Sequence, residues 1–203
     1  MKLAIIKYNA GNIQSVKFAL NRIGVVPVLT DSVEEIQSAD KVIFPGVGEA
    51  SSAMNHLNEK GLNKVITNLK QPVLGICLGM QLMCRFSEEG NTDCLGIFSS
   101  KVKRFYSPFE GGAQRAGDVK VPQIGWNNIY NLKGELFKDV SENEFQYFVH
   151  GYYVESGSST IATTNYITEY SSALQKDNFY GVQFHPEKSA KAGEQILKNF
   201  IEL

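Results

Sequence analysis

Pro72-Val73-Leu74-Gly75-Ile76-Cys77-Leu78-Gly79 is an apolar run opened by proline and closed by glycine, and its reading decides the fold. Val73–Cys77 shows no polar alternation, so a strand there has to be covered on both faces. Parallel sheets between two helical layers provide that cover. Gly75-Ile76-Cys77-Leu78-Gly79 also has the shape of a nucleophile elbow, with cysteine in the nucleophile's place.

Upstream of this run, strand-like and helix-like patterns alternate. Leu3–Lys7 is a short apolar segment that stops at a turn-rich stretch ending in Gly11-Asn12. From Ile13 to Ile23, Ile13, Val16, Ala19, Leu20 and Ile23 recur at helical spacing. Val25–Leu29 and Lys41–Phe44 read as strands, the latter ending in Pro45-Gly46-Val47-Gly48. Helical patterns follow at Ala50–Leu57 and Leu62–Leu69, and a helix is expected over Gly79–Phe86. This alternation predicts an α/β fold of three layers, a mostly parallel central sheet with helices on both faces.

The second half is rich in aromatic and β-branched residues. Val102–Phe105, Asn127–Tyr130, Gln146–Val154, Thr160–Thr164, Ser172–Leu174 and Phe179–Phe184 read as strands, which adds antiparallel pairing to the sheet. Ser189–Leu203 is helical, with Ala192, Ile196, Leu197 and Phe200 on one face. Ser107–Lys120 reads as a surface loop or mobile flap. No internal repeat or long linker interrupts the chain, so residues 1–203 are expected to form one domain.

Composition narrows the functions. Twenty Lys+Arg against 21 Asp+Glu leave a net charge of −1, which argues against binding a polyanion such as nucleic acid through bulk charge. The longest uncharged apolar stretch, Gln71–Cys84, is too short to span a bilayer, and Leu3-Ala4-Ile5-Ile6 is too short for a secretory signal and is expected to be the first strand. Three cysteines without a Cys-x-x-Cys pair speak against a disulfide framework and a zinc site. A cytoplasmic protein without a metal is the expectation.

Cys77 is the candidate nucleophile. A helix starting behind it would aim its dipole and free N–H groups at the sulfur and favour the thiolate, and the N–H of Leu78 would face an oxyanion. The competing reading is a small buried hydrophobe at the end of a strand. Of the three histidines, His56 falls on a surface helix and His150 inside a strand. His185 ends a strand two residues before Glu187, so in an extended segment both would face the same side. Cysteine, histidine and an orienting carboxylate fill the triad roles, and the pair of motifs outweighs either alone. Gly46 and Gly48 flank Val47, whose peptide could then rotate to offer a second oxyanion N–H; a glycine turn without a role reads equally well from this segment.

These motifs together resemble the class I (triad-type) glutamine amidotransferases over nearly the whole chain. Pro122-Gln123-Ile124-Gly125-Trp126-Asn127, Tyr147-Phe148-Val149-His150 and the Lys188-Ser189 that follows His185-Pro186-Glu187 narrow the likeness to glutaminase subunits serving histidine biosynthesis. The resemblance implies a flavodoxin-like fold and no cofactor. It implies L-glutamine as substrate, held by Gln81, Glu89 and Gly79, and a Cys77 thioester. Ammonia would pass to a (βα)8-barrel cyclase that forms imidazole glycerol phosphate, in a heterodimer whose interface includes Asn12, Trp126, Tyr147 and Lys188. From residue type alone, Gln81, Glu89 and Lys188 read as solvated and Trp126 as core. Many members carry His where Gln123 stands, which leaves the acceptor more open than the chemistry. A paralogue supplying an amidino-sugar or anthranilate-type synthase is one alternative. A non-catalytic regulatory or chaperone-like module of the same fold is another.

Overall fold

A computed structural model describes residues 1–8, 13–106 and 120–203. Its first half alternates strands and helices: β1 (Leu3–Ile6), α1 (Ile13–Arg22), β2 (Val28–Thr30), α2 (Val33–Gln37), β3 (Lys41–Gly46), α3 (Ala50–Glu59), α4 (Leu62–Thr67), β4 (Val73–Cys77) and α5 (Leu78–Leu82). The second half is mostly strand: β5 (Phe86–Ser87), β6 (Thr92–Asp93), β7 (Lys101–Arg104), β8 (Gln123–Asn128), β9 (Phe145–His150), β10 (Tyr152–Val154), β11 (Thr160–Asn165), β12 (Glu169–Lys176) and β13 (Phe179–Val182), closed by α6 (Ala190–Glu202).

The main sheet has the order β2-β1-β3-β4-β13-β12-β10-β7-β5-β6, with β11 on β12. Its first five strands are all parallel, and β12 turns the sheet antiparallel. β8 and β9 form a separate antiparallel ribbon. Successive residues of β1 fall into opposite cores. Ala4 and Ile6 join Leu57, Leu62 and Ile66 on the α3–α4 side, while Leu3 and Ile5 join Leu20, Ile196 and Phe200 on the α1–α6 side. Burial on both faces is why the strand runs carry no polar alternation.

Parallel neighbours bring their carboxyl ends to one edge of the sheet. Gly46 of β3 lies in register with Cys77 of β4, and Val182 of β13 with Ile76. The segments that leave β3, β4 and β13 therefore emerge side by side, which is where open α/β sheets place their ligands.

Several expected boundaries shift. The expected helix over Gly79–Phe86 is only Leu78–Leu82, because Phe86 is already paired with Asp93 and Lys101. The continuous strand expected over Gln146–Val154 breaks at Gly151, where the chain crosses from the ribbon to the main sheet. The strand expected at Asn127–Tyr130 begins earlier, at Gln123, and Tyr130 makes only an isolated bridge to Thr163. Among the described residues no helix is long and apolar enough to cross a membrane. Asn12 and most of the Ser107–Lys120 segment lie outside the described residues.

Candidate active site

Cys77 ends β4 with φ 54° and ψ −111°, a conformation costly for any residue with a Cβ. Such a turn persists because its surroundings leave no alternative. A Cβ on Gly79 would sit 1.8 Å from the Phe44 carbonyl oxygen, and one on Gly75 would sit 2.4 Å from Met83 Cε. Both glycines let α5 lie directly on β3 and β4. The side of the turn away from this packing carries the thiol, which stays buried at 6% exposure.

His185 and Glu187 meet this thiol by a different route from the one expected. The chain after β13 does not stay extended: Pro186–Lys188 form a 3-10 turn capped by His185. Within that turn His185 Nδ1 and Glu187 Oε1 approach to 2.9 Å, both side chains almost fully buried. Nδ1 is thereby engaged with Glu187, and the ring also hydrogen-bonds the Cys77 side chain. Burial alone would lower the His185 pKa, but hydrogen bonds to Cys77 and Glu187 outweigh it and raise the group to about 10. The hydrogen bonds to Cys77 and Glu187 therefore favour the protonated imidazole at neutral pH.

The sulfur has further neighbours. It lies 3.7 Å from the Val149 carbonyl oxygen and 3.8 Å from Gln183 Nε2. A cavity of about 250 Å³ opens over it, lined among others by Val47, Gly48, Gln81, Glu89, Tyr152 and Lys188. That volume is of the order of a small-molecule site. Among the described residues no cluster of three or more His, Cys, Asp or Glu could hold a metal ion.

The other expected site residues fall into three places. Leu78 is the first residue of α5, so its N–H is among those a helix leaves without an internal partner. Because α5 has only five residues, its dipole is weak, and the thiol depends more on its side-chain neighbours than on the helix end. Val47 and Gly48 line the cavity, and Gly48 has φ +112° with open space around its Cα. Gly46 and Gly79 do not line it; they pack β3 against α5, where a Cβ on Gly46 would lie 3.0 Å from the Gly79 nitrogen.

Gln81 is buried, not solvated, with Nε2 donating to the Tyr152 carbonyl at 3.0 Å and to Gln183 Oε1 at 2.8 Å. Glu89 lies in a 3-10 turn and accepts from the Ala50 N–H at 2.8 Å, so its carboxylate caps α3 while facing the cavity. Burial raises the Glu89 pKa, with the Ala50 bond opposing the shift.

Trp126 is no core residue. It is 53% exposed on the outer face of the ribbon, opposite Tyr147, with the rings edge-to-face at 5.9 Å. Lys188 sets its ammonium 5.8 Å from the Tyr147 ring centroid and also lines the cavity. His56 lies on α3 and does not line the cavity, and Cys84 and Cys94 are free thiols outside it.

His150 is buried inside the ribbon, as a strand residue should be, with Nδ1 2.7 Å from the Tyr152 carbonyl oxygen and Nε2 3.2 Å from the Tyr170 hydroxyl. Two residues quoted in the sequence motifs were given no role at the site there. Gln183 touches the sulfur, and Ser189 links the ribbon to His185 through its hydroxyl. A lone polar side chain inside the apolar Phe179–Phe184 run was the available sign of the former, because a buried amide needs partners.

Comparison with known proteins agrees with this geometry. The family model described as glutamine amidotransferase class-I matches residues 5–203. A Bacteroides fragilis protein named imidazole glycerol phosphate synthase subunit HisH is 61% identical over 203 residues, covering all of both chains. A protein of the same name from Haemophilus influenzae is 46% identical over 203 residues, 100% of this chain and 98% of that one. Among solved structures, a putative GMP synthase protein from Thermoplasma acidophilum superposes with a TM-score of 0.74 at 18% identity, covering 100% of this chain and 93% of that one. That likeness bears on the fold alone. The strained Cys77 turn, the buried His185–Glu187 pair and the match over residues 5–203 lead to one conclusion: the chain belongs to the class-I glutamine amidotransferase family.

Proposed function

We propose that this chain is the glutaminase subunit of an imidazole glycerol phosphate synthase, acting as a single domain over residues 1–203. The observation that carries the chemistry is the line Cys77–His185–Glu187 at the floor of a cavity of about 250 Å³. Full-length similarity to subunits of that synthase supports the pathway.

In this reading the Cys77 sulfur attacks the carboxamide carbon of L-glutamine held by Gln81 and Glu89. The Leu78 N–H and, after a peptide rotation, the Val47 N–H stabilise the oxyanion. His185 gives its proton to the departing ammonia and leaves a glutamyl thioester. The neutral imidazole, oriented by Glu187, then takes a proton from water as it hydrolyses the thioester to glutamate. Ammonia passes to a (βα)8-barrel cyclase that docks on the face carrying Trp126, Tyr147 and Lys188. The ammonia acceptor binds on that partner, which completes the reaction.

Cys77→Ala in the complex with the cyclase tests this directly. Glutamine-dependent synthesis is expected to vanish while synthesis from added ammonium salts persists. Loss of both activities would make Cys77 structural, and retention of glutamine-dependent synthesis would remove it from the chemistry. A chain that binds no such cyclase on co-purification would overturn the pathway assignment.

A further inference from the structure

Gln183 enters none of the steps above, yet its side chain is fully buried and its Nε2 lies 3.8 Å from the Cys77 sulfur. Which end of that amide faces the sulfur follows from the chain of bonds behind it. The Tyr152 carbonyl can only accept, so Gln81 turns its NH2 toward it, at 3.0 Å. The same Gln81 nitrogen lies 2.8 Å from Gln183, which must therefore present its oxygen there. The remaining end of Gln183, its NH2, is the one aimed at Cys77. A backbone carbonyl thus sets the polarity of the whole row.

A fixed N–H donor matches a thiolate and gives little to a thiol. On another side of the sulfur, the Val149 carbonyl at 3.7 Å accepts an S–H and favours the thiol. Gln183 and His185 oppose that carbonyl. Gln81, meanwhile, has its NH2 engaged by the protein, which leaves its Oε1 as the end available to a ligand.

We propose that Gln183, held by Gln81, donates to the Cys77 sulfur, keeps it as a thiolate aimed at the cavity, and links that state to the residue that grips glutamine. This rests on Cys77 being the nucleophile of the proposed function, and it adds to that reading a residue whose amide sets the sulfur's protonation. The ionisable groups around the sulfur are His185 after β13, Tyr8 after β1, His150 on β9, and Glu89 and Lys188 in the cavity. Substitution at Gln183 leaves all five in place.

The test is the pH dependence of iodoacetamide alkylation of the full-length chain, with the modified peptide identified by mass. Cys84 is fully buried and burial pushes Cys94 up to about 12, so alkylation below pH 9 reports Cys77. Gln183→Met keeps the length and loses both the donor to the sulfur and the acceptor for Gln81; Gln183→Asn keeps an amide for folding but falls one methylene short. In either folded variant the alkylation midpoint is expected to rise by about one pH unit, the order of one hydrogen bond to a charged group. In the complex, kcat for glutamine should fall, and KM should rise with it because Gln81 loses its Gln183 acceptor. An unshifted midpoint in a variant that melts like wild type would overturn the proposal. Because alkylation needs no turnover, a wild-type complex without glutaminase activity would count against the proposed function and leave this result readable.

Discussion

His185 and Tyr147 are joined backbone to backbone: the His185 N–H donates to the Tyr147 carbonyl at 2.8 Å. Ser189 closes the joint, accepting from the Tyr147 N–H at 2.9 Å and donating to the His185 carbonyl at 2.7 Å. His185 is thus clamped to the ribbon whose outer face carries Trp126. Ser189→Ala leaves the half-buried Tyr147 N–H without its acceptor and should cost about 1 kcal/mol in urea melts. Glutaminase kcat should fall severalfold with KM nearly unchanged, because the substitution shifts His185 and not the glutamine contacts. A variant with wild-type stability and kcat would show that the clamp has no role.

Gly79→Ala should be among the most damaging single-methyl changes in the molecule. The added Cβ meets the Phe44 carbonyl oxygen at 1.8 Å, and that oxygen belongs to a central strand with no room to retreat. A loss exceeding about 3 kcal/mol is expected. Gly48→Ala is the contrast: it has φ +112° but open space, so only the backbone strain of about 1–3 kcal/mol applies. Chemical denaturation of both variants checks the ranking, and equal losses would contradict the packing account.

Much of this site was legible because its parts are local. An apolar strand ending in a glycine-flanked cysteine, and a histidine two residues from a glutamate, each read within a few positions. Parallel pairing then supplied the juxtaposition. Long-range polar partners were not legible. Glu89 caps a helix that starts at Ala50, and Gln81 is buried because Gln183 and Tyr152 receive its amide. The His185–Glu187 contact was expected for the wrong local reason, since a 3-10 turn and not an extended strand creates it. Trp126 reads as core by its size, yet the ribbon's alternation turns it outward while Phe148 turns in. The helix Val33–Gln37 went unread because five residues with two apolar positions hold no periodicity.

The two buried histidines near the site bound stability from opposite sides. Burial lowers His150 to about 4, below the usual 6.5. As pH falls from 6.5 toward 4, the unfolded chain takes up a proton that folded His150 refuses, so stability drops, at most by about 1.4 kcal/mol per pH unit from this group. His185 is raised to about 10, so its contribution is complete below 6.5 and is lost as pH climbs toward 10. His150→Gln can keep bonds to Tyr152 and Tyr170 and should flatten the acid side alone; His185→Gln should flatten the alkaline side alone. Urea midpoints across pH 4–10 decide it, and acid limbs that coincide in wild type and His150→Gln would refute the first half.

Trp126 is exposed, so its value to the free chain is small. Its edge-to-face contact with Tyr147 is worth about 0.5–1.5 kcal/mol, and little else is lost on truncation. The same residue sits with Ile124, 63% exposed, and Phe145, 54% exposed, on a ribbon clamped to His185. Large aromatics at the centre of an apolar face are the usual anchors of an interface. Trp126→Ala should therefore leave the melting temperature within a few degrees of wild type while weakening cyclase binding by about 2 kcal/mol or more, some thirtyfold in Kd. Lys188→Ala should show a different balance: Lys188 spans the Tyr147 ring and the cavity, so glutamine KM should rise along with Kd. Titration calorimetry with the cyclase and steady-state glutaminase assays separate the two. If Trp126→Ala binds the cyclase as tightly as wild type, the docking face lies elsewhere on the molecule, and the clamp between Tyr147 and His185 is structural only.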